Sequence, residues 1–134
     1  MKPKSEDKIV LGASALLALL NREKGADRVA EVMDRAVMNT VNMAEVATKL
    51  AKLGIPASEI EIILAGLNIE TIDFDLAMAL AVGNLIVDTQ DFGLSLGDRA
   101  CLAFAERLGY SVLTADKAWS NVQSLFEVKI DFIR

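Results

Sequence analysis

The chain has 134 residues, a net charge of −5 at pH 7, 53% hydrophobic residues, one cysteine and no histidine. That hydrophobic content excludes a disordered chain, the lone cysteine an internal disulfide, and the lack of histidine both Ser-His or Cys-His catalysis and histidine-ligated zinc. The acidic balance argues against a broad nucleic-acid-coating face but not against an acid-lined pocket, whose metal, with only oxygen ligands on offer, would be Mg²⁺ or Mn²⁺.

Residues 1–7 form a charged leader with nothing of a secretory signal. Lys8–Leu11 predicts a short apolar strand, Gly12-Ala-Ser14 a turn and Ala15–Leu20 the start of a helix. The apolar run Ala13–Leu20 is far short of a membrane span. A second helix is expected over about Ala26–Arg35, with Val29, Val32, Met33 and Ala36 on one face, and a second strand over Ala36–Thr40. Asn42-Met-Ala-Glu45 opens a third helix, with Val46, Leu50 and Leu53 on its apolar side and Gly54 as its stop. Pro56 suits the first turn of a fourth helix over Ser58–Leu67, and Ile69–Ile72 reads as strand three.

Asp73 to about Val87 predicts a long apolar helix capped by Asp73, and Asp88–Gly93 a loop. Ser95 caps the next helix, Asp98 lies in its first turn and Gly109 ends it. Tyr110–Leu113 is a short strand, Lys117–Ser120 a short turn or helix, and Val122–Leu125 a connection to the last strand. There Val128, Ile130 and Phe132 alternate with Lys129 and Asp131, as on an edge strand. No repeat, low-complexity tract or linker divides the chain, so a single domain over 1–134 is expected. Cys101, on an apolar helix, reads as a buried inert thiol, and a reducing cytoplasm is the expected compartment.

Strands alternating with helices predict a parallel sheet covered on both faces. Ligands of such sheets bind beyond the carboxyl ends of the strands, near the switch in strand order. The Asp98–Gly109 helix runs down about 17 Å at roughly 1.5 Å per residue, and the following strand climbs back. Asp98 and Asp116 therefore return to one edge of the sheet, which Glu45 also reaches. Each acid has an ordinary structural use: Glu45 and Asp98 stand at capping-box spacing from Asn42 and Ser95, and Asp116 suits a helix cap. Capping does not explain why acids from three junctions converge. Clustered carboxylates repel unless a cation neutralises them.

Four stretches carry a family resemblance: Val10-Leu-Gly-Ala-Ser14, Thr40-Val-Asn42-Met-Ala-Glu45, Leu94-Ser-Leu-Gly-Asp98-Arg-Ala and Leu113-Thr-Ala-Asp116-Lys-Ala-Trp119. Together they resemble the motif regions of PIN-domain ribonucleases, most closely the VapC toxins of bacterial toxin–antitoxin pairs. The resemblance implies a three-layer α/β/α sandwich whose five-stranded parallel sheet has the order 3-2-1-4-5. It also implies Mg²⁺- or Mn²⁺-dependent hydrolysis of RNA phosphodiesters, with Asp98, Asp116 and Glu45 as metal ligands. Ser14, Asn42 and Thr114 match the family's supporting polar positions. Arg99 and Lys117 are cations beside the acids, equally suited to offsetting charge near RNA or to lying in solvent. A VapB-like antitoxin, with operator DNA bound only through it, and a homodimer are the implied partners.

One departure stands out. The family's first motif reads Val-Leu-Asp-Ala-Ser, and here its aspartate is Gly12. The resemblance then implies a weakened nuclease, or a nuclease-like module that only holds a partner. Gly12 also has an alternative use, since glycine at a tight turn often supplies a positive φ. A haloacid-dehalogenase-type phosphatase built on Asp73-Phe-Asp75 is a third class, although such a pair normally follows the first strand of its domain.

Overall fold

A computed structural model describes residues 7–134; of the charged leader it covers Asp7 alone. Five parallel strands, β1 (Ile9–Leu11), β2 (Ala36–Asn39), β3 (Glu70–Ile72), β4 (Ser111–Thr114) and β5 (Ile130–Phe132), line up in the order β3-β2-β1-β4-β5. The chain builds outward from β1 to β3, then returns to the other side of β1 with β4 and β5. The switch point therefore falls between β1 and β4, where Val10 pairs Val112 and Leu11 pairs Leu113.

Alternation along the strands divides the interior in two. Val10, Val37 and Val112 face one core, completed by α5 (Leu76–Asn84), α7 (Leu96–Leu108) and a 3-10 helix over Lys117–Leu125. Leu11, Met38 and Leu113 face the other, completed by α1 (Ala13–Leu20), α2 (Ala26–Val32), α3 (Thr40–Lys52) and α4 (Ala57–Gly66). This is the expected three-layer α/β/α sandwich with the expected strand order. No helix among the described residues is long and apolar enough to cross a membrane.

Local differences trace to capping. Strand two ends at Asn39 rather than Thr40, because Asn39 caps α3: its Oδ1 accepts the Asn42 amide at 2.9 Å. Helix three thus begins ahead of Asn42, which lies inside it. Asp75, not Asp73, caps α5, accepting the Met78 amide at 2.8 Å. The long helix expected to Val87 is broken into α5 and α6 (Ile86–Thr89), and the loop expected over Asp88–Gly93 is largely the end of α6 and a 3-10 turn over Gln90–Phe92. The second helix closes at Val32 and passes through a 3-10 turn, Met33–Arg35, into β2. The segment after Asp116 is one 3-10 helix running to Leu125, longer than the short turn expected. Helix α7 starts and stops as read, with Ser95 as cap and Gly109 left-handed at φ 75°.

Candidate active site

A pocket of about 360 Å³ opens beyond the carboxyl ends of β1 and β4. Ser14, Asn42, Glu45, Asp98 and Asp116 all line it, together with Ala13, Leu17, Lys49, Gly97, Cys101 and Trp119. Acids from three separate elements, the second turn of α3, the first turn of α7 and the turn after β4, therefore face one cavity.

Glu45 is placed by a buried amide relay. Asn39 and Asn42 are both buried, and Asn39 Nδ2 donates to Asn42 Oδ1 at 2.8 Å. Asn42 Nδ2 donates twice, to Glu45 Oε1 at 2.7 Å and to the Gly97 carbonyl at 3.0 Å. This set of partners fixes the amide orientation and ties α3 to the start of α7. Capping-box spacing from Asn42 does not make Glu45 a cap; Asn42 acts on Glu45 through its side chain. A Cβ on Gly97 would meet the Glu45 carboxylate, so a side chain there would push that tip away from Asn42.

Asp98 forms a full capping box: its Oδ2 accepts the Ser95 amide at 3.0 Å while Ser95 Oγ accepts the Asp98 amide at 3.1 Å. Asp116 Oδ1 accepts the Ala118 amide at 3.0 Å, capping the 3-10 helix. Ser14 Oγ and Thr114 Oγ1 lie 3.2 Å apart across the switch point. Ser14 Oγ accepts the Ala115 amide at 3.0 Å and Thr114 Oγ1 the Asp116 amide at 3.1 Å. The two hydroxyls thus hold the backbone that carries Asp116.

Gly12 is the N-cap of α1 with φ −73° and ψ 159°, ordinary extended backbone, so the positive-φ use of glycine does not apply. A Cβ added to it would meet Leu113 O and the Trp119 ring at 3.6 Å and Thr114 Oγ1 at 3.7 Å, all normal contact distances. Trp119 is buried, and its Nε1 has no hydrogen-bond partner.

The other cations and acids go elsewhere. Arg99 turns away from the pocket and donates through Nη1 to Val82 O at 2.8 Å; Lys117 is exposed and does not line it. Asp73 and Asp75 follow the edge strand β3 and line a separate depression of about 210 Å³ with Arg107. Among the lining residues that went unassigned in the sequence are Lys49 and Trp119. Lys49 stands four residues after Glu45, on the same face of α3, a spacing that could have flagged it. Trp119 lay inside a motif stretch but carried no role. Cys101 is buried beneath the acids, and burial, followed by the charges of Asp98 and Glu45, pushes its thiol well up from the ordinary value.

The donor set suits a hard divalent cation in kind. Glu45, Asp98 and Asp116 each spend one carboxylate oxygen on an internal hydrogen bond and keep the other. At Gly12 a side chain would fit at ordinary contact distances, so the backbone there leaves room for a further carboxylate. In spacing the set is incomplete: among the described residues, no three acidic or thiol groups gather closely enough to hold a metal ion.

An α/β/α fold of this strand order, with acids at its switch point, defines the class to which the PIN domains belong. The PIN-domain profile matches residues 9–125, and this chain belongs to that family, whose members are generally nucleases. Its fold is similar to that of a chain in DNA-bound VapBC from Salmonella typhimurium, at 15% identity and TM-score 0.72, covering 95% of this chain and 98% of that one. The fold is also similar to a chain of the toxin–antitoxin system VapBC-5 from Mycobacterium tuberculosis (22% identity, TM-score 0.63, 94% and 98% covered). FitAcB from Neisseria gonorrhoeae is a third (16% identity, TM-score 0.64, 92% and 96% covered). No curated protein sequence matches the chain.

Proposed function

We propose that this chain is the toxin component of a type II toxin–antitoxin pair, a divalent-metal-dependent endoribonuclease weakened by Gly12. The observation that carries the reading is the convergence of Glu45, Asp98 and Asp116 on one pocket beside a glycine that its backbone conformation does not require. Membership of a nuclease family supports the reaction class. Asp98 and Asp116 present one free carboxylate oxygen each, Glu45 is oriented by Asn42, and Ser14 with Thr114 keeps Asp116 in place. When bound, Mg²⁺ or Mn²⁺ supplies an activated water and screens the charge that develops on the phosphate. The VapBC and FitAcB likenesses support a VapB-like antitoxin as partner, with operator DNA reached only through it. A homodimer and a cytoplasmic site of action belong to the same reading.

The test is cleavage of total and transfer RNA by the native chain and by Gly12→Asp, with Mg²⁺, with Mn²⁺ and with chelator. We expect the aspartate form to cleave strongly and to slow growth of cells that lack the antitoxin. Equal cleavage by the glycine form would show that a carboxylate at residue 12 is not needed. The incomplete acid set favours a second reading, a PIN-fold module that holds an antitoxin without cutting RNA. It is supported if both forms fold and bind the partner and neither cleaves.

A further inference from the structure

A second depression, of about 460 Å³, lies against the acid pocket, and the two share Glu45, Lys49 and Gly97. The rest of its wall is mainly apolar: Val41 and Ala44 from α3, and Leu96, 57% exposed, from the first turn of α7. At the boundary between the two, the Glu45 carboxylate fills the space that a side chain on residue 97 would take, so the cavities adjoin along Glu45 and Lys49. Lys49 is the one basic residue lining the acid pocket among the described residues, and none of their ion pairs engages it. Glu45, one turn earlier, is turned toward Asn42 instead.

We propose that this α3–α7 groove is a nucleotide subsite: it seats the base next to the scissile phosphate, and Lys49 binds the phosphate that joins the two cavities. The proposal rests on the ribonuclease reading. An acid-lined pocket repels a polyanion, so a free cation at its rim is where a phosphate can approach. One nucleotide carries an anion and a flat apolar-faced base a sugar apart, which matches a lysine beside an apolar wall. A single-stranded RNA is the occupant that meets both halves at once. Thr48, on the α3 wall of the groove, donates its hydroxyl to the Ala44 carbonyl at 2.8 Å and keeps an acceptor lone pair, so it would select bases that present a donor.

The experiment measures binding rather than turnover. Labelled RNA hexamers, intact or with one abasic residue, are titrated by anisotropy in Mg²⁺ and in chelator against the native chain, Lys49→Met and Leu96→Ser. Binding to the acid pocket is followed through Trp119, the chain's single tryptophan. We expect the best-placed abasic residue to weaken binding about fivefold or more, and Leu96→Ser to abolish that difference. Lys49→Met should weaken every hexamer and lower the slope of log affinity against log salt by about 0.7. RNA that perturbs Trp119 but is indifferent to the abasic residue and to Leu96→Ser overturns the subsite and leaves the nuclease reading standing. No RNA binding by the native chain or by Gly12→Asp overturns both. Self-association that Leu96→Ser abolishes, with RNA affinity unchanged, gives the groove to a second copy and also overturns the subsite.

Discussion

The Glu45 carboxylate fills the space that a side chain on residue 97 would need. Helix α7 thus leaves its second position bare so that an acid from α3 can reach the pocket. Gly97→Ala should improve helix propensity by about 1 kcal/mol and forfeit the Asn42–Glu45 hydrogen bond, worth about as much. Thermal melting is expected to change by only a few degrees. In the Gly12→Asp background, RNA cleavage should nonetheless fall at least roughly tenfold, because Glu45 is displaced. A large drop in melting temperature would show that the backbone, rather than the flexible Glu45 tip, yields.

Asn42→Leu tests the relay. It strands the Asn39 amide and the Gly97 carbonyl in a buried setting and releases Glu45. A loss of about 2–4 kcal/mol in urea denaturation is expected for the two orphaned groups. An unchanged midpoint would mean that water takes over both bonds.

Asp98 separates folding from chemistry. Asp98→Asn keeps an oxygen acceptor for the Ser95 amide, so stability without metal should stay level or rise as repulsion from neighbouring acids is relieved. Asp98→Ala removes the acceptor and should cost about 1 kcal/mol. Both should weaken Mn²⁺ binding, read by calorimetry on the Gly12→Asp protein. If the asparagine form loses as much stability as the alanine form, the carboxylate's charge matters more to the helix than its hydrogen bond.

Cys101 should resist alkylation. Its thiol is buried, and the raised pKa keeps it protonated where a free cysteine is already partly ionised, at about pH 8. Mass spectrometry after iodoacetamide treatment should find it unmodified in the folded chain and fully modified in denaturant. Rapid labelling of the folded chain would place the thiol in open contact with the pocket.

Helix α5 exposes Leu76 at 74% and Leu80 at 67%, burying only Met78 and Val82. An uncharged helix this bare is expected to pair with its copy, giving a dimer by light scattering at micromolar concentration that Leu80→Glu converts to monomer. A native chain that stays monomeric in that range sends the search for a partner to other proteins.

The covered parallel sheet was legible because alternation and helical spacing are set by burial, whereas the strand order followed only from the resemblance of the four motif stretches. Helix starts were harder. Asn39 and Asn42 are both capping types three residues apart, and so, at closer range, are Asp73 and Asp75. Only the backbone decides which of each pair accepts the amide. The convergence of Glu45, Asp98 and Asp116 could be read from topology. Arg99 could not be placed, because residue type does not say whether a guanidinium near an acid faces the pocket or bonds a carbonyl on the neighbouring helix. Lys49 carried a signal, its place one turn after Glu45, but that spacing is shared by many lysines on solvated helix faces and does not by itself aim the side chain at the pocket.

Asp98 and Asp116 each hold a helix start as well as facing the pocket, while nothing in the backbone at residue 12 depends on what stands there. In a lineage released from the need to cut RNA, the two capped acids would still be kept by selection for folding. A residue with no such second duty is free to vanish first. Their survival is accordingly a weak witness to activity, and the identity of residue 12 is the position at which a working enzyme and its silent descendant would part company.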